Sequence, residues 1–365
     1  MTQREIEDWQ VSPPQGAPPD VLVLAPPNVE AIARVLRWAS LEGRSVMPWG
    51  GGTHCGPAAG DTPEILLRTN ELTSIVDYQP DDLTLVVEAG ALVSEVESML
   101  AERSQSAVLQ EHAAGSTIGG MIASGASGYR RLRYGPTRDR MLEATVATGD
   151  GRVITAGGRV VKNVTGYDIP RLMSGSLGSL GVMSQVCLKL WPVPATAASI
   201  DIDVAAFPAL YRPLALLETE QGATAYLAGT AEEIAGQANA VGADPVPGLN
   251  WPAPLDHASR IEMRVPSPLV TAAVEQVKAA EAVAFRAQHG VGIVEAGFAD
   301  WSDERLKSLR DWAERHSGHA VVTAAPTPDL DRWGAPPDSV ELQRRVKEAF
   351  DPRHILVPGR LPGGV

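Results

Sequence analysis

Cysteine is scarce in this 365-residue chain: Cys55 and Cys187 stand far apart and lack ligand spacing. That excludes a cysteine-ligated iron–sulfur cluster within the chain and fits a reducing compartment. Basic residues are also in deficit, 31 Lys and Arg against 44 Asp and Glu, for a net charge of −13. Such a balance opposes a broad phosphate-neutralising surface, so nucleic acid is not an expected partner. No run of 18 apolar residues occurs, so no membrane span is expected. The opening MTQREIEDWQ has no basic flank followed by an apolar core, which argues against a secretory signal. The expectation is a cytoplasmic protein, with any membrane association made through partner subunits. What remains is a globular chain, 44% hydrophobic and long enough for two domains with their own cores.

Glycine, by contrast, is abundant and clustered. Residues 48–56 read PWGGGTHCG. A Walker loop would continue into Lys and Ser/Thr, but Gly52 is followed by Thr53, His54 and Cys55. A dinucleotide fingerprint would run into a helix, whereas Gly56-Pro57 ends the stretch. A lone triplet fits an ordinary tight turn equally well. Two further segments change its weight: GSTIGGMIASGASGYRRLRYG (115–135) and GSLGSLGVMSQVCLKLWP (175–192). Loops with so few side chains present backbone N–H groups that neutralise a pyrophosphate without lysine. Each amide–phosphate hydrogen bond contributes roughly 1.5–3 kcal/mol.

The pattern predicts a helix over 28–43, capped by Asn28 and stopped by Gly43. Strands are expected at 45–47, 64–68 and 83–88, a helix at 93–103 and a small-residue loop at 113–128. A hairpin is expected over 142–158 around Gly149-Asp150-Gly151, then a strand in 181–192. Composition changes at WPVPATAA (191–198). Beyond it the pattern predicts strands at 198–204, 223–229, 259–265, 291–297 and 319–324. Helices are expected at 207–219, 269–282 and 302–316, a loop at 241–254 and a last helix ending near Phe350. The fold class is α+β, the second part being an antiparallel sheet with helices on one face.

In their order and spacing, PWGGGTHCG, GSTIGGMIASGASG and GSLGSLGV resemble the FAD-binding domain of the vanillyl-alcohol oxidase/PCMH superfamily over residues 20–192. GGRVVKNVTGYDIPRLMSGSLGSLGV (157–182) and FDPRHILVPGRL (350–361) narrow the resemblance to its 2-hydroxyacid dehydrogenase branch. Within that branch, KNVTGYDIPRLMSGS and the chain length are most similar to the E-subunit family of glycolate oxidase (GlcE). The resemblance fades across 195–335. It implies a PCMH-type two-subdomain FAD-binding domain at 1–194, a smaller α+β cap domain at 195–335 and a C-terminal segment, 336–365, returning to the first domain. It further implies an FAD-binding subunit acting with a flavoprotein D-type subunit and an iron–sulfur F-type subunit. The substrate would be glycolate or another small 2-hydroxy acid, with electrons leaving through the clusters to a quinone-type acceptor. A self-sufficient dehydrogenase and a structural subunit with a vestigial FAD site are the alternatives.

Carried over by position, Gly50, Gly51, Gly52, Thr53 and His54 would contact the pyrophosphate. Gly115, Ser116, Thr117, Gly119, Gly120 and Ser124 would line phosphates, ribityl chain and ring, and Gly181 and Val182 would meet the far part of the cofactor. Members with covalent flavin read Gly-Gly-His in the first loop; Thr53 intervenes here, so noncovalent FAD is expected. Metal is not expected: His316 and His319 lack a third ligand, and Gln288-His289-Gly290 lacks a preceding acid. Arg130, Arg131, Arg133 and Arg138 are candidate cations for a substrate carboxylate, or simply a solvated basic loop. Lys162, Asn163, Tyr167 and Asp168 form a polar group without an assigned role. No catalytic base emerges, and 195–335 yields no evident substrate-binding set.

Overall fold

The computed structural model describes every residue except 19, 55–61, 111–113, 160–165 and 328–329. Near the N-terminus, β1 (Leu22–Leu24), β2 (Val46–Trp49) and β3 (Ile65–Arg68) form a parallel sheet in the order β1-β3-β2. Helix α1 (Val29–Glu42) begins where Asn28 accepts from the Ala31 N–H and ends at Gly43 in the left-handed region. Its Ile32, Val35, Leu36 and Ala39 pack on Leu24, Ile65 and Leu67.

A second, antiparallel sheet contains β4 (Ile75–Gln79), β5 (Thr84–Glu88), β6 (Met141–Ala147), β7 (Val153–Gly157) and β8 (Val182–Lys189). Their order is β4-β5-β8-β6-β7. Helices α2 (Val93–Ala101) and α3 (Ile118–Ser124) bury Val96, Leu100, Met121 and Ile122 against it. Part of the small-residue segment expected as loop is thus helix α3: Thr117 caps it, accepting from the Gly120 N–H, and Gly125 ends it with φ +71°.

A third, larger sheet has eight antiparallel strands: β9 (Thr196–Asp201), β10 (Ala215–Thr219), β11 (Gly222–Gly229), β12 (Val246–Pro247), β13 (Ser259–Arg264), β14 (Ala284–Gln288), β15 (Ile293–Phe298) and β16 (His319–Ala324). Their order is β12-β9-β11-β10-β14-β15-β13-β16. Helices α4 (Ala231–Ala240), α5 (Val270–Ala279) and α6 (Asp303–Arg315) pack on it. The expected helix at 207–219 is instead a short 3-10 turn, Val204–Ala209, followed by β10. Leu216 of β10 packs toward Phe207 and α4, while Ala215 and Leu217 pack toward Tyr129 of the preceding region. A strand buried on both faces loses its alternation and reads like a helix.

The C-terminal helix α7 (Val340–Phe350) returns the chain to the first sheet, where Leu356 bridges Val46. Lys347, 2% exposed, donates to the Ser179 and Leu356 carbonyls at 2.7 Å and to the Asp351 carboxylate at 2.6 Å. Asp351 in turn accepts from the Ile355 and Leu356 N–H groups. Burial pulls the Lys347 ammonium below its ordinary pKa, and Asp351 opposes that shift.

Candidate functional site

A cleft of about 1510 Å³ opens between the N-terminal loops and the eight-stranded sheet. Its first wall is built from backbone. A Cβ added at Gly51 would lie 1.8 Å from the Gly115 carbonyl oxygen, and one at Gly50 would lie 2.1 Å from Thr117 Oγ1. These glycines let the 50–54 loop rest directly on the 115–117 loop. Thr53 Oγ1 and Ser116 Oγ lie 2.8 Å apart, and Ser116 Oγ lies 3.4 Å from His54 Nε2. Burial holds the His54 imidazole below its ordinary pKa.

Thr53, His54, Ser116 and Ser124 line the cleft. Gly119 lies behind them, its N–H donating to the Ala89 carbonyl at 2.7 Å. Among the described residues, the backbone N–H groups of Gly51, Gly52, Thr53, His54, Gly115 and Ser116 donate to no acceptor. Of these, Thr53, His54 and Ser116 line the cleft, while Gly51, Gly52 and Gly115 stand beside them in the same loops. Free amides and hydroxyls without a cation suit a pyrophosphate, so these residues fit a dinucleotide-type cofactor. From the third glycine segment the cleft takes Leu177 and Leu180 rather than Gly181 and Val182. Gly181 packs against Val146 and Ala147, and Val182, 1% exposed, belongs to the core beneath α1.

The opposite wall is built from side chains. Alternation along β13 to β16 sends Ile261, Met263, Phe285, Ala287, Val294 and Val322 to the helix-covered core. The intervening residues turn to the cleft: Arg260, Glu262 and Arg264; Arg286 and Gln288; Ile293 and Glu295; His319 and Thr323. Register sets Glu295 opposite both Glu262 and Arg286. Arg264 Nε approaches Glu262 at 2.5 Å, while Arg286 Nη1 reaches Glu295 at 3.5 Å. Arg286 also donates to the Tyr129 hydroxyl and the Ala253 carbonyl, tying the sheet to the loop that follows α3. Burial and the facing Glu262 push the Glu295 carboxyl up to about 7, against the pull of Arg286 and Arg260.

The arginine cluster at 130–138 divides. Arg130 donates to the Leu109 carbonyl and Arg133 to that of Ala228, each at 2.8 Å, so both are anchors. Arg131 and Arg138 face the cleft, and burial lowers the Arg131 pKa. His316 stacks on Trp312 and donates from Nδ1 to its carbonyl at 2.7 Å. His289 pairs with Glu218 at 2.9 Å. Among the described residues no group of three His, Cys, Asp or Glu is placed to hold a metal, and no helix is long and apolar enough to cross a membrane. Tyr167 is exposed and Asp168 caps the short helix Ile169–Met173, while Lys162 and Asn163 lie outside the described residues. Sequence reasoning missed Arg260, Arg264, Arg286, Gln288 and Glu295. The alternation SRIEMR in β13 was the available signal, but nothing in it showed which partner strands would lie beside it.

Comparison with known proteins agrees with the backbone wall. Residues 20–157 match the family described as FAD binding domain. The chain is 33% identical over 205 residues to D-2-hydroxyglutarate dehydrogenase of Xanthomonas citri pv. viticola, covering 55% of this chain and 43% of the relative. It is 31% identical over 212 residues to glycolate oxidase subunit GlcD of Bacillus subtilis, covering 56% and 44%. It is 34% identical over 150 residues to glycolate oxidase subunit GlcE of Escherichia coli, covering 40% and 42%. The match thus spans less than half the length of each of these relatives. A solved structure of alkyldihydroxyacetonephosphate synthase superposes with a TM-score of 0.68 at 16% identity, covering 92% of this chain and 75% of that one. The fold is therefore shared across nearly the whole chain, including the eight-stranded sheet. Residues 20–157 thus match an FAD-binding domain, and FAD is the cofactor that match indicates.

Proposed function

We propose that this chain is an FAD-dependent oxidoreductase that takes a small 2-hydroxy acid in the cleft between its FAD-binding region and its eight-stranded sheet. The observation that carries this reading is the arginine-bearing sheet face opposite the amide-lined loops, in a protein of net charge −13. An acidic chain that concentrates Arg131, Arg138, Arg260, Arg264 and Arg286 around one cleft favours a carboxylate ligand there. The amides of Gly51, Gly52, Thr53, His54, Gly115 and Ser116, with the Thr53 and Ser116 hydroxyls, would hold the FAD pyrophosphate. FAD bound there supplies a two-electron acceptor. This chain's own residues bind and orient the acid, exclude water from the cleft and manage the proton. In this division, 1–194 with 336–365 is the cofactor-binding unit and 195–335 is the substrate cap.

The likeness to subunits GlcE and GlcD supports a place in a glycolate-oxidase-type assembly with a second flavoprotein and an iron–sulfur subunit. Attachment to a membrane would then come through those partners. The cation wall favours a second reading, in which the isolated chain oxidises the acid by itself. One assay separates them: anaerobic mixing of the purified holoprotein with glycolate, D-lactate or L-lactate, with and without co-expressed partners. Flavin bleaching by the chain alone establishes the self-sufficient form, and bleaching only with partners establishes the subunit. No bleaching in either case, despite bound FAD, rejects the substrate class. Acid denaturation should release all flavin as FAD, as Thr53 in place of the covalent-type histidine implies.

A further inference from the structure

Within the charged wall, one patch of four side chains is built differently from the rest. Arg286 and Gln288 of β14 face Glu295 and Ile293 of β15 in direct register, and all four line the cleft. Arg286 is 4% exposed and Gln288 is 6% exposed. Although both Arg286 terminal nitrogens are engaged, its Nε is buried without a hydrogen-bond partner, and so is Gln288 Oε1. A buried donor and a buried acceptor left open two residues apart on one strand face are costly unless a ligand completes them. The ligand they describe has an anionic acceptor beside a hydroxyl donor. Glu295 completes the patch: 35% of its side chain stays open to the cleft, and among the described residues it pairs with the shared Arg286 alone, at 3.5 Å.

We propose, building on the 2-hydroxy acid reading above, that the substrate carboxylate docks on Arg286, that its hydroxyl donates to Gln288 Oε1 in the bound complex, and that the hydroxyl then turns to Glu295, which takes its proton. The oxidation balances as follows. The O–H bond breaks and its proton passes to the Glu295 carboxylate. The carbinol C–H bond breaks with its electron pair, which leaves as hydride to oxidised flavin, the two-electron acceptor. The C–O bond becomes a carbonyl, the 2-oxo acid departs, and Glu295 returns its proton to solvent.

The two glutamates of the wall differ in a way that selects Glu295. Glu262 is held by Arg264 at 2.5 Å, whereas Glu295 shares Arg286 with Tyr129 and Ala253. The charged groups facing Glu295 are Glu262 and Arg260 on β13 and Arg286 on β14. Their balance leaves it close to the neutral range, where a proton acceptor works best. Its conjugate base is the working form, so the rate of flavin reduction should rise as pH increases through about 7.

The test combines reduction rates with binding. Anaerobic stopped flow measures flavin reduction by D-lactate and glycolate in wild type, Glu295→Gln and Glu295→Asp. Calorimetry measures D-lactate and propionate, its analogue without the hydroxyl, on dithionite-reduced holoprotein, where no turnover occurs. Glu295→Gln should slow reduction by about 100-fold or more, flatten its pH profile and leave D-lactate affinity within about threefold; Glu295→Asp should recover part of the rate. Gln288→Leu should weaken D-lactate about tenfold, the scale of one hydrogen bond, and leave propionate unchanged. Reduction of Glu295→Gln at the wild-type rate, or unchanged D-lactate preference in Gln288→Leu, overturns the assignment of these residues alone. A wild-type holoprotein neither reduced nor bound by either acid overturns the substrate reading beneath it as well.

Discussion

Across the cleft, the loops at 50–54 and 115–117 offer backbone amides and small hydroxyls, whereas strands β13 to β16 offer arginine and glutamate side chains. The first wall comes from two short loops whose backbones touch, with a Cβ at Gly51 excluded by the Gly115 carbonyl. The second is assembled from residues scattered over Arg260 to Thr323, each supplied by strand alternation. Amides do not titrate, so the backbone donors of the first wall are the same at any pH. The second wall sets carboxylates opposite one another, so its charge depends on pH. One cleft thus pairs a backbone wall with a titratable side-chain wall, the first proposed for the cofactor and the second for the substrate.

Breaking the backbone wall should have the largest effect. Gly51→Val drives a branched side chain into Gly115, so the variant should purify with little FAD. It should also lose the ligand's contribution to stability, about 4 kcal/mol if FAD is normally present at a thousand times its Kd; flavin absorbance per chain and thermal unfolding measure both. Lys347→Met attacks the anchoring of the C-terminal segment, leaving Asp351 buried without its cation and the Ser179 carbonyl without its donor. Losing one partner of a buried pair costs about 3–5 kcal/mol, read from denaturant unfolding.

Breaking the side-chain wall should spare FAD. Arg286→Met should keep full flavin content while weakening 2-hydroxy acid binding by roughly 2–3 kcal/mol, the scale of charge-assisted hydrogen bonds. Loss of FAD in that variant would erase the distinction between the walls.

The smallest effect sharpens the comparison through pH. Glu295 holds its proton to higher pH when folded, its pKa raised from 4.5 to about 7. The folded state therefore binds more protons across that window, and stability falls as pH rises through it. With the solvent-facing part of the side chain discounted, the effect is on the order of 1–2 kcal/mol. Glu295→Gln should remove that slope from the pH dependence of unfolding, whereas Thr53→Ala should leave it in place.

Much of the first region was legible. Helix α1 carried both caps, Asn28 and Gly43, in plain view, and the hairpin of β6 and β7 had Gly149-Asp150-Gly151 between its strands. The segment expected as loop hid α3, because the glycines that let α3 approach Ala89 also weaken its helical pattern. In the second region, β14 went unseen, since AFRAQ buries an arginine and a glutamine that read as surface residues. The expected helix at 207–219 failed because β10 is covered on both faces.

The sequence by itself determined the backbone wall proposed to hold the cofactor. A loop that binds through its own backbone needs only local absences of side chain, and those are written as consecutive glycines in PWGGGTHCG and GSTIGG. Only the tertiary structure decided the charged side-chain wall. Arg286, Glu295 and Glu262 become neighbours through the pairing of β14, β15 and β13, and strand pairing is a non-local choice made by the burial of the opposite, apolar face. The charges on the cleft side follow that choice passively, so no motif in the chain announces them.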